Sequence, residues 1–134
     1  MLASEGEDGQ RKLERLVTER LEQAVALGRE RLAQGAGLRA VLALDGYITL
    51  PAGKTDAVFV EGRDYAQSGG AVRFEIAVPY RNASAAGGFA VYRPKLVAVP
   101  QGADLQPLMS AFWAGVDSHE QAAKVWNEKM DQSQ

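Results

Sequence analysis

The sequence contains no cysteine, one histidine, and only two tryptophans, four tyrosines and four phenylalanines in 134 residues. The absence of cysteine excludes disulfides, thiolate nucleophiles and cysteine-ligated zinc or iron–sulfur clusters. A single histidine excludes multi-histidine metal sites, so no metal and no cofactor are expected. No stretch approaches 18 consecutive apolar residues, and the acidic opening Glu5-Gly6-Glu7-Asp8 lacks the basic, then apolar, pattern of a secretory signal. The expectation is a cytoplasmic protein with no membrane partner, whose residues 1–10 are loose and whose residues 11–131 form one α+β domain. Asn82-Ala83-Ser84 fits the glycosylation acceptor pattern and, without a signal, reads as chance. No internal repeat is present.

Strong charge of one sign is also missing. The net charge is −2, with 15 Lys and Arg against 17 Asp and Glu. It is unevenly spread: residues 62–100 carry five basic and two acidic groups, and residues 101–134 two basic and five acidic. That local excess falls well short of a nucleic-acid-binding surface, so no nucleic acid is expected as a partner.

What is present is a change of hydrophobic period along the chain. From Arg11 to Gln34 the apolar residues Leu13, Leu16, Val17, Leu21, Ala24, Val25 and Leu32 gather on one half of a helical wheel, with Gly35-Ala36-Gly37 as the stop. Such a helix would be about 36 Å long. Leu38–Leu50 contains Asp45-Gly46 between two β-prone runs, which predicts a hairpin turn. Pro51-Ala52-Gly53-Lys54 reads as a turn, Asp56–Asp64 as a strand, and Ser68-Gly69-Gly70 as another turn. In Ala71–Arg81, Val72, Phe74, Ile76, Val78 and Tyr80 alternate with Arg73, Glu75, Ala77 and Arg81, the clearest strand pattern. Phe89–Val99 alternates too, with a slip at Pro94 that predicts a bulge.

After Pro100 the period is helical again. Asp104 is placed to cap one short helix closing at Gly115, and Ser118 to cap a second running from His119 to about Met130. The predicted fold is therefore α+β: a long N-terminal helix on an antiparallel meander of four to five strands, with two short C-terminal helices. At the level of architecture this layout resembles the cystatin-like and nuclear-transport-factor-like group. The predicted core sets Leu16, Val17, Leu21 and Ala24 of the helix against Val72, Phe74, Ile76 and Val78 of the sheet.

Few motifs carry chemistry. Gly53-Lys54-Thr55 imitates the end of a phosphate-binding loop, but position 48 is Ile where that loop needs glycine. His119-Glu120 imitates a zinc-protease helix, but position 123 is Ala where the second histidine belongs. Glu61 shares strand parity with Arg63, and Glu75 with Arg73, which reads as a charged strand face rather than an acid pair for hydrolysis. No catalytic residue is assigned. The one constellation left is Tyr80, Arg81, Tyr92 and Arg93, which a hairpin across Asn82–Gly88 would bring near one another as a binding site for a small anionic ligand.

These readings favour a non-catalytic protein that acts by association with a protein partner or with itself as a homodimer. The motive is apolar surplus beyond one helix-covered face: Phe59, Phe89 and Val91 share parity with charged residues, and Phe112, Trp113 and Trp126 come late in the chain. The alternative is a small-ligand pocket, binding or enzymatic, between a curved sheet and its helices.

Overall fold

The computed structural model describes residues 1–35, 37–66 and 72–134, Val72 through its backbone alone. Its order is β1 (Leu2–Glu5), β2 (Arg11–Glu14), α1 (Leu21–Ala33), β3 (Arg39–Leu50), β4 (Gly53–Asp64), β5 (Val72–Arg81), β6 (Ala90–Tyr92), β7 (Lys95–Ala98), α2 (Leu105–Ser118), α3 (Glu120–Lys129) and β8 (Met130–Asp131). The class is α+β, as the period changes predict. The eight strands form one mixed, mostly antiparallel sheet in the order β2-β1-β3-β4-β5-β6-β8, with β7 pairing β5 beside β6.

The N-terminal third departs from expectation. The long helix over residues 11–34 is not seen, because the first helix begins at Leu21 and spans 13 residues. The stretch expected to be loose, residues 1–10, supplies β1, and Arg11–Glu14 are β2. The cause is local turn chemistry. Asp8 Oδ1 accepts the Gln10 N–H at 3.0 Å, Gly9 takes φ 77°, and the Gly6 N–H donates to the Gln10 carbonyl at 2.9 Å. This Asp-Gly pair closes a hairpin before a helix can start, and the turn requires the left-handed conformation that glycine adopts without strain.

The second Asp-Gly pair does not turn. β3 runs straight through Asp45 and Gly46, and the reversal falls at Pro51-Ala52, where Leu50 pairs with Gly53. Pro51 pre-sets its own φ for the first turn position, which Asp45-Gly46 cannot match once Tyr47–Leu50 are paired on β4. The predicted turn at Ser68-Gly69-Gly70 lies outside the described residues. The slip at Pro94 appears as the break between β6 and β7, with a register shift at Glu75/Ile76 of β5.

Cross-strand register assigns every strand side chain to one of two faces. On the first lie Leu2, Ala40, Leu42, Leu44, Ala57, Phe59, Glu61, Glu75, Ala77 and Pro79. α1 covers the β1–β3 part of this face, where Leu2, Leu32, Ala40 and Leu42 form the core with Leu16, Leu44 and Tyr65 packed around them. Gly28 is the close-approach point of the helix, against the Leu42 and Leu16 side chains. The Tyr65 hydroxyl donates to the Leu32 carbonyl near the end of α1, and burial pushes that phenol up from its ordinary range.

The predicted helix–sheet core is therefore corrected. Val17 and Leu21 are 77% and 58% exposed. Phe74, Ile76 and Val78 lie on the opposite face from α1, which packs on β3. With a 13-residue first helix over one side of the sheet, the predicted long helix on a meander of four to five strands is not the layout observed.

At the C-terminal end, Asp104 Oδ1 accepts the Gln106 N–H at 3.0 Å and caps α2 as predicted. The helix passes through Gly115 to Ser118, however. The cap of α3 is His119, whose Nδ1 accepts the Ala122 N–H at 3.3 Å, while the Ser118 hydroxyl donates to the Gly115 carbonyl at 2.8 Å. Phe112, Trp113 and Trp126 pack edge to face on one another with centroids 4.9–6.0 Å apart, which joins α2 to α3. α3 in turn rests on β6 and β8.

Candidate functional site

The four residues expected to gather around an anion are divided by the pleat. Arg81 pairs with Ala90, so Arg81 and Tyr92 share one face, while Tyr80 pairs with Val91 on the other. Arg81 Nη1 reaches the Tyr92 hydroxyl at 3.5 Å. Its Nε donates to the Gly88 carbonyl at 2.7 Å, its Nη2 to the Gly87 carbonyl at 3.2 Å, and Nη1 lies 3.5 Å from Asp131 Oδ2. Arg81 thus ties the loop at residues 82–88 and strand β8 to β5. Arg93 donates from Nη2 to the Gln132 carbonyl at 3.1 Å and from Nε to the Gln134 carbonyl at 3.4 Å, holding the C-terminal segment. Tyr80 donates to Asp45 Oδ1 at 3.1 Å, and burial, reinforced by that carboxylate, pushes its phenol up.

Both guanidinium groups therefore meet acceptors of their own chain. For Arg81 these acceptors include a carboxylate that any incoming anion would have to displace. The Asp131 carboxyl is held below its ordinary range by hydrogen bonds from Ser133 and by Arg81.

A second charged group was visible in the sequence only as parity. Glu61, 5% exposed, accepts from Arg29 Nη2 at 2.6 Å and Nε at 2.9 Å, both on Oε1. It stands directly opposite Glu75 in the register, one row from the opposed pair Arg63 and Arg73. The like charges face each other across the ladder and the unlike ones lie on its diagonals. Strand parity joined Glu61 to Arg63 and Glu75 to Arg73; the register puts all four on one face, and nothing in the sequence showed that Arg29 would descend from the helix onto Glu61. The hydrogen bond to Glu61 raises the Arg29 pKa further. Among the described residues, no three His, Asp or Glu side chains converge where a metal ion could be held.

The largest uncommitted feature is the face opposite α1. In register it carries the rows Leu13–Ala3–Val41–Gly62–Phe74 and Ala43–Val60–Ile76–Leu96, then Val58–Val78. One end is closed by a charged row, Arg11–Glu5–Arg39, in which Glu5 Oε2 is 4.0 Å from Arg11 Nε and 2.8 Å from Arg39 Nε. The other end has Asp45, Tyr47, Lys54 and Tyr80, with the Lys54 ammonium 4.1 Å from the centre of the Tyr47 ring. A groove of about 310 Å³ runs beside Ala3, Leu13 and Val41 with Arg11 and Arg39 at its rim. Among the described residues, no helix packs substantially on β4 or β5.

Compared with known protein families, curated proteins and solved structures, the chain matches none of them. Among the described residues, no helix is long and apolar enough to cross a membrane.

Proposed function

We propose that this is a non-catalytic assembly protein, acting by association of its uncovered sheet surface with a second copy. The supporting observation is surface area. The chain exposes 8893 Å², whereas a compact monomer of 14.4 kDa exposes about 6,800 Å². The surplus exceeds the roughly 800 Å² per partner that a standard stable interface covers. On the face opposite α1, Leu13, Val58 and Leu96 are 68%, 37% and 40% exposed, while Ile76 between them is buried.

The alternative is the anion site at Arg81 and Arg93, beside Tyr80 and Tyr92. It requires ligand to compete with Asp131 and with four backbone carbonyls, which lowers its affinity from the outset. Light scattering across a concentration series tests the first reading, and a dimer is the expected result. A mass of one chain at every concentration overturns it. Titration with inorganic phosphate, followed at the amides of Tyr80–Lys95, tests the alternative; no movement is expected there, and saturable shifts would establish it.

A further inference from the structure

We infer that the outer edge of β2 is where a second copy docks, strand to strand and antiparallel, about a twofold axis at Leu13. This rests on the assembly reading and gives it a location and a register. β2 is the terminal strand of the sheet, so among the described residues one of its sides has no partner strand. The hydrogen bond from the Gly6 N–H to the Gln10 carbonyl sets the alternation of the β1–β2 ladder. From it, Lys12 and Glu14 point their backbone groups inward at Ser4 and Leu2, and Arg11 and Leu13 point theirs outward. The other side of β1 agrees, since the Met1 carbonyl accepts from the Ala43 N–H. The free donors and acceptors of the edge are therefore centred on Leu13.

Side-chain parity then selects the register. In an antiparallel continuation of the same sheet, partners must lie on the same face, so the axis must pass through a residue rather than between two. An axis at Lys12 sets Lys12 against its own copy, and an axis at Glu14 opposes two glutamates. An axis at Leu13 places each Lys12 opposite Glu14 of the second copy, twice by symmetry. These fall at non-hydrogen-bonded positions, where side chains come closest. Glu14 is already organised by Arg31, whose Nη1 lies 2.7 Å from its Oε1. On the other face Leu13 meets Leu13. The apolar row Leu13–Ala3–Val41–Gly62–Phe74, exposed at Leu13 and half-buried to buried beyond it, then continues into the partner, and the two grooves beside Ala3 and Val41 adjoin. A short, cationic edge normally repels other strands; here the same four residues supply the matching anion.

The cysteine-free chain makes the test direct. Across a hydrogen-bonded antiparallel pair the two Cα atoms stand about 5.5 Å apart, inside the roughly 4.4–6.8 Å range of disulfides. Leu13→Cys, at an exposed position outside the core, is expected to form a covalent dimer on mild oxidation of the full chain at micromolar concentration. Thr49→Cys, exposed at the far end of β3, is expected to remain uncrosslinked. Lys12→Glu and Glu14→Lys should each weaken dimerisation by about tenfold or more, and the double swap should restore it, with unchanged circular dichroism throughout. A dimer that survives Lys12→Glu and leaves Leu13→Cys uncrosslinked overturns the β2 edge while the assembly reading stands. A chain that is monomeric at every concentration overturns both.

Discussion

The ring of Phe74 occupies the space that a side chain at position 62 would need: a β-carbon on Gly62 would lie 2.1 Å from Phe74 Cε1. The two are register partners on β4 and β5, so glycine lets the aromatic ring lie across the neighbouring strand. Gly62→Ala should therefore destabilise the protein by about 1–3 kcal/mol, despite alanine's lower backbone entropy cost. Adding Phe74→Leu should recover part of that loss, which a double-mutant cycle in urea would measure as coupling. Strict additivity would show that the ring does not depend on the glycine.

Leu42 is 1% exposed beneath α1, and Leu21 on the same helix is 58% exposed. Leu42→Ala should cost about 2–5 kcal/mol through the cavity it leaves, and Leu21→Ala about 0.5 kcal/mol or less. Denaturation midpoints of the two variants decide the matter. Equal losses would place Leu21 in the core after all, as the helical wheel predicts.

The Arg29–Glu61 pair is asymmetric, with the arginine side chain 55% exposed and the glutamate 6%. Removing the arginine leaves a buried carboxylate opposite Glu75 with no cation above it. Removing the glutamate leaves a cation that water can solvate. Arg29→Ala should thus cost about 2 kcal/mol and Glu61→Gln distinctly less, at neutral pH and moderate salt. The reverse ranking would mean that the pair acts through the arginine's packing.

Asp131 gives the protein an acid-sensitive fastening. Its folded-state pKa lies below the ordinary aspartate value, so its contribution is complete above about pH 3.9 and is lost as pH falls through the lower, folded value. Hydrogen exchange at Met130 and Asp131 should accelerate in that acid window before the exchange of β3 and β4 does. Asp131→Asn should exchange faster at neutral pH and lose the acid dependence. Simultaneous opening of β8 and the central strands would show that Asp131 does not act locally.

The strand with strict alternation was legible in the sequence, since β5 falls within the predicted Ala71–Arg81, but its facing was not: Phe74, Ile76 and Val78 lie opposite α1 rather than beneath it. The C-terminal helices were legible from Asp104 and from the spacing of Phe112, Trp113 and Trp126. The N-terminus was not, because Arg11–Glu14 carries the helical period of the residues after it and yet pairs as a strand. Periodicity cannot weigh a turn at Asp8-Gly9 against a helix cap at Gly35. Nor does sequence say which of two Asp-Gly pairs turns; Pro51-Ala52 decided that by making the reversal five residues after Gly46. At the candidate anion site, Arg81 and Tyr92 share a face and Tyr80 lies on the other. The carbonyls of Gly87 and Gly88, and Asp131 from the far end of the chain, left no sequence signal because backbone acceptors and remote partners have none.

β8 joins the sheet parallel to β6, and it arrives only after β7, α2 and α3 have been traversed. Arg81 and Asp131 are about fifty residues apart along the chain. By contrast, the β1–β2 and β3–β4 hairpins close over a few residues each. Loop-closure entropy makes short-range pairings fast and the β6–β8 pairing late. Refolding should therefore proceed in two stages, with the hairpins zipping first and the C-terminal crossover latching afterwards. A transient species that lacks β8 would have Arg81 and the backbone of β6 still open to water.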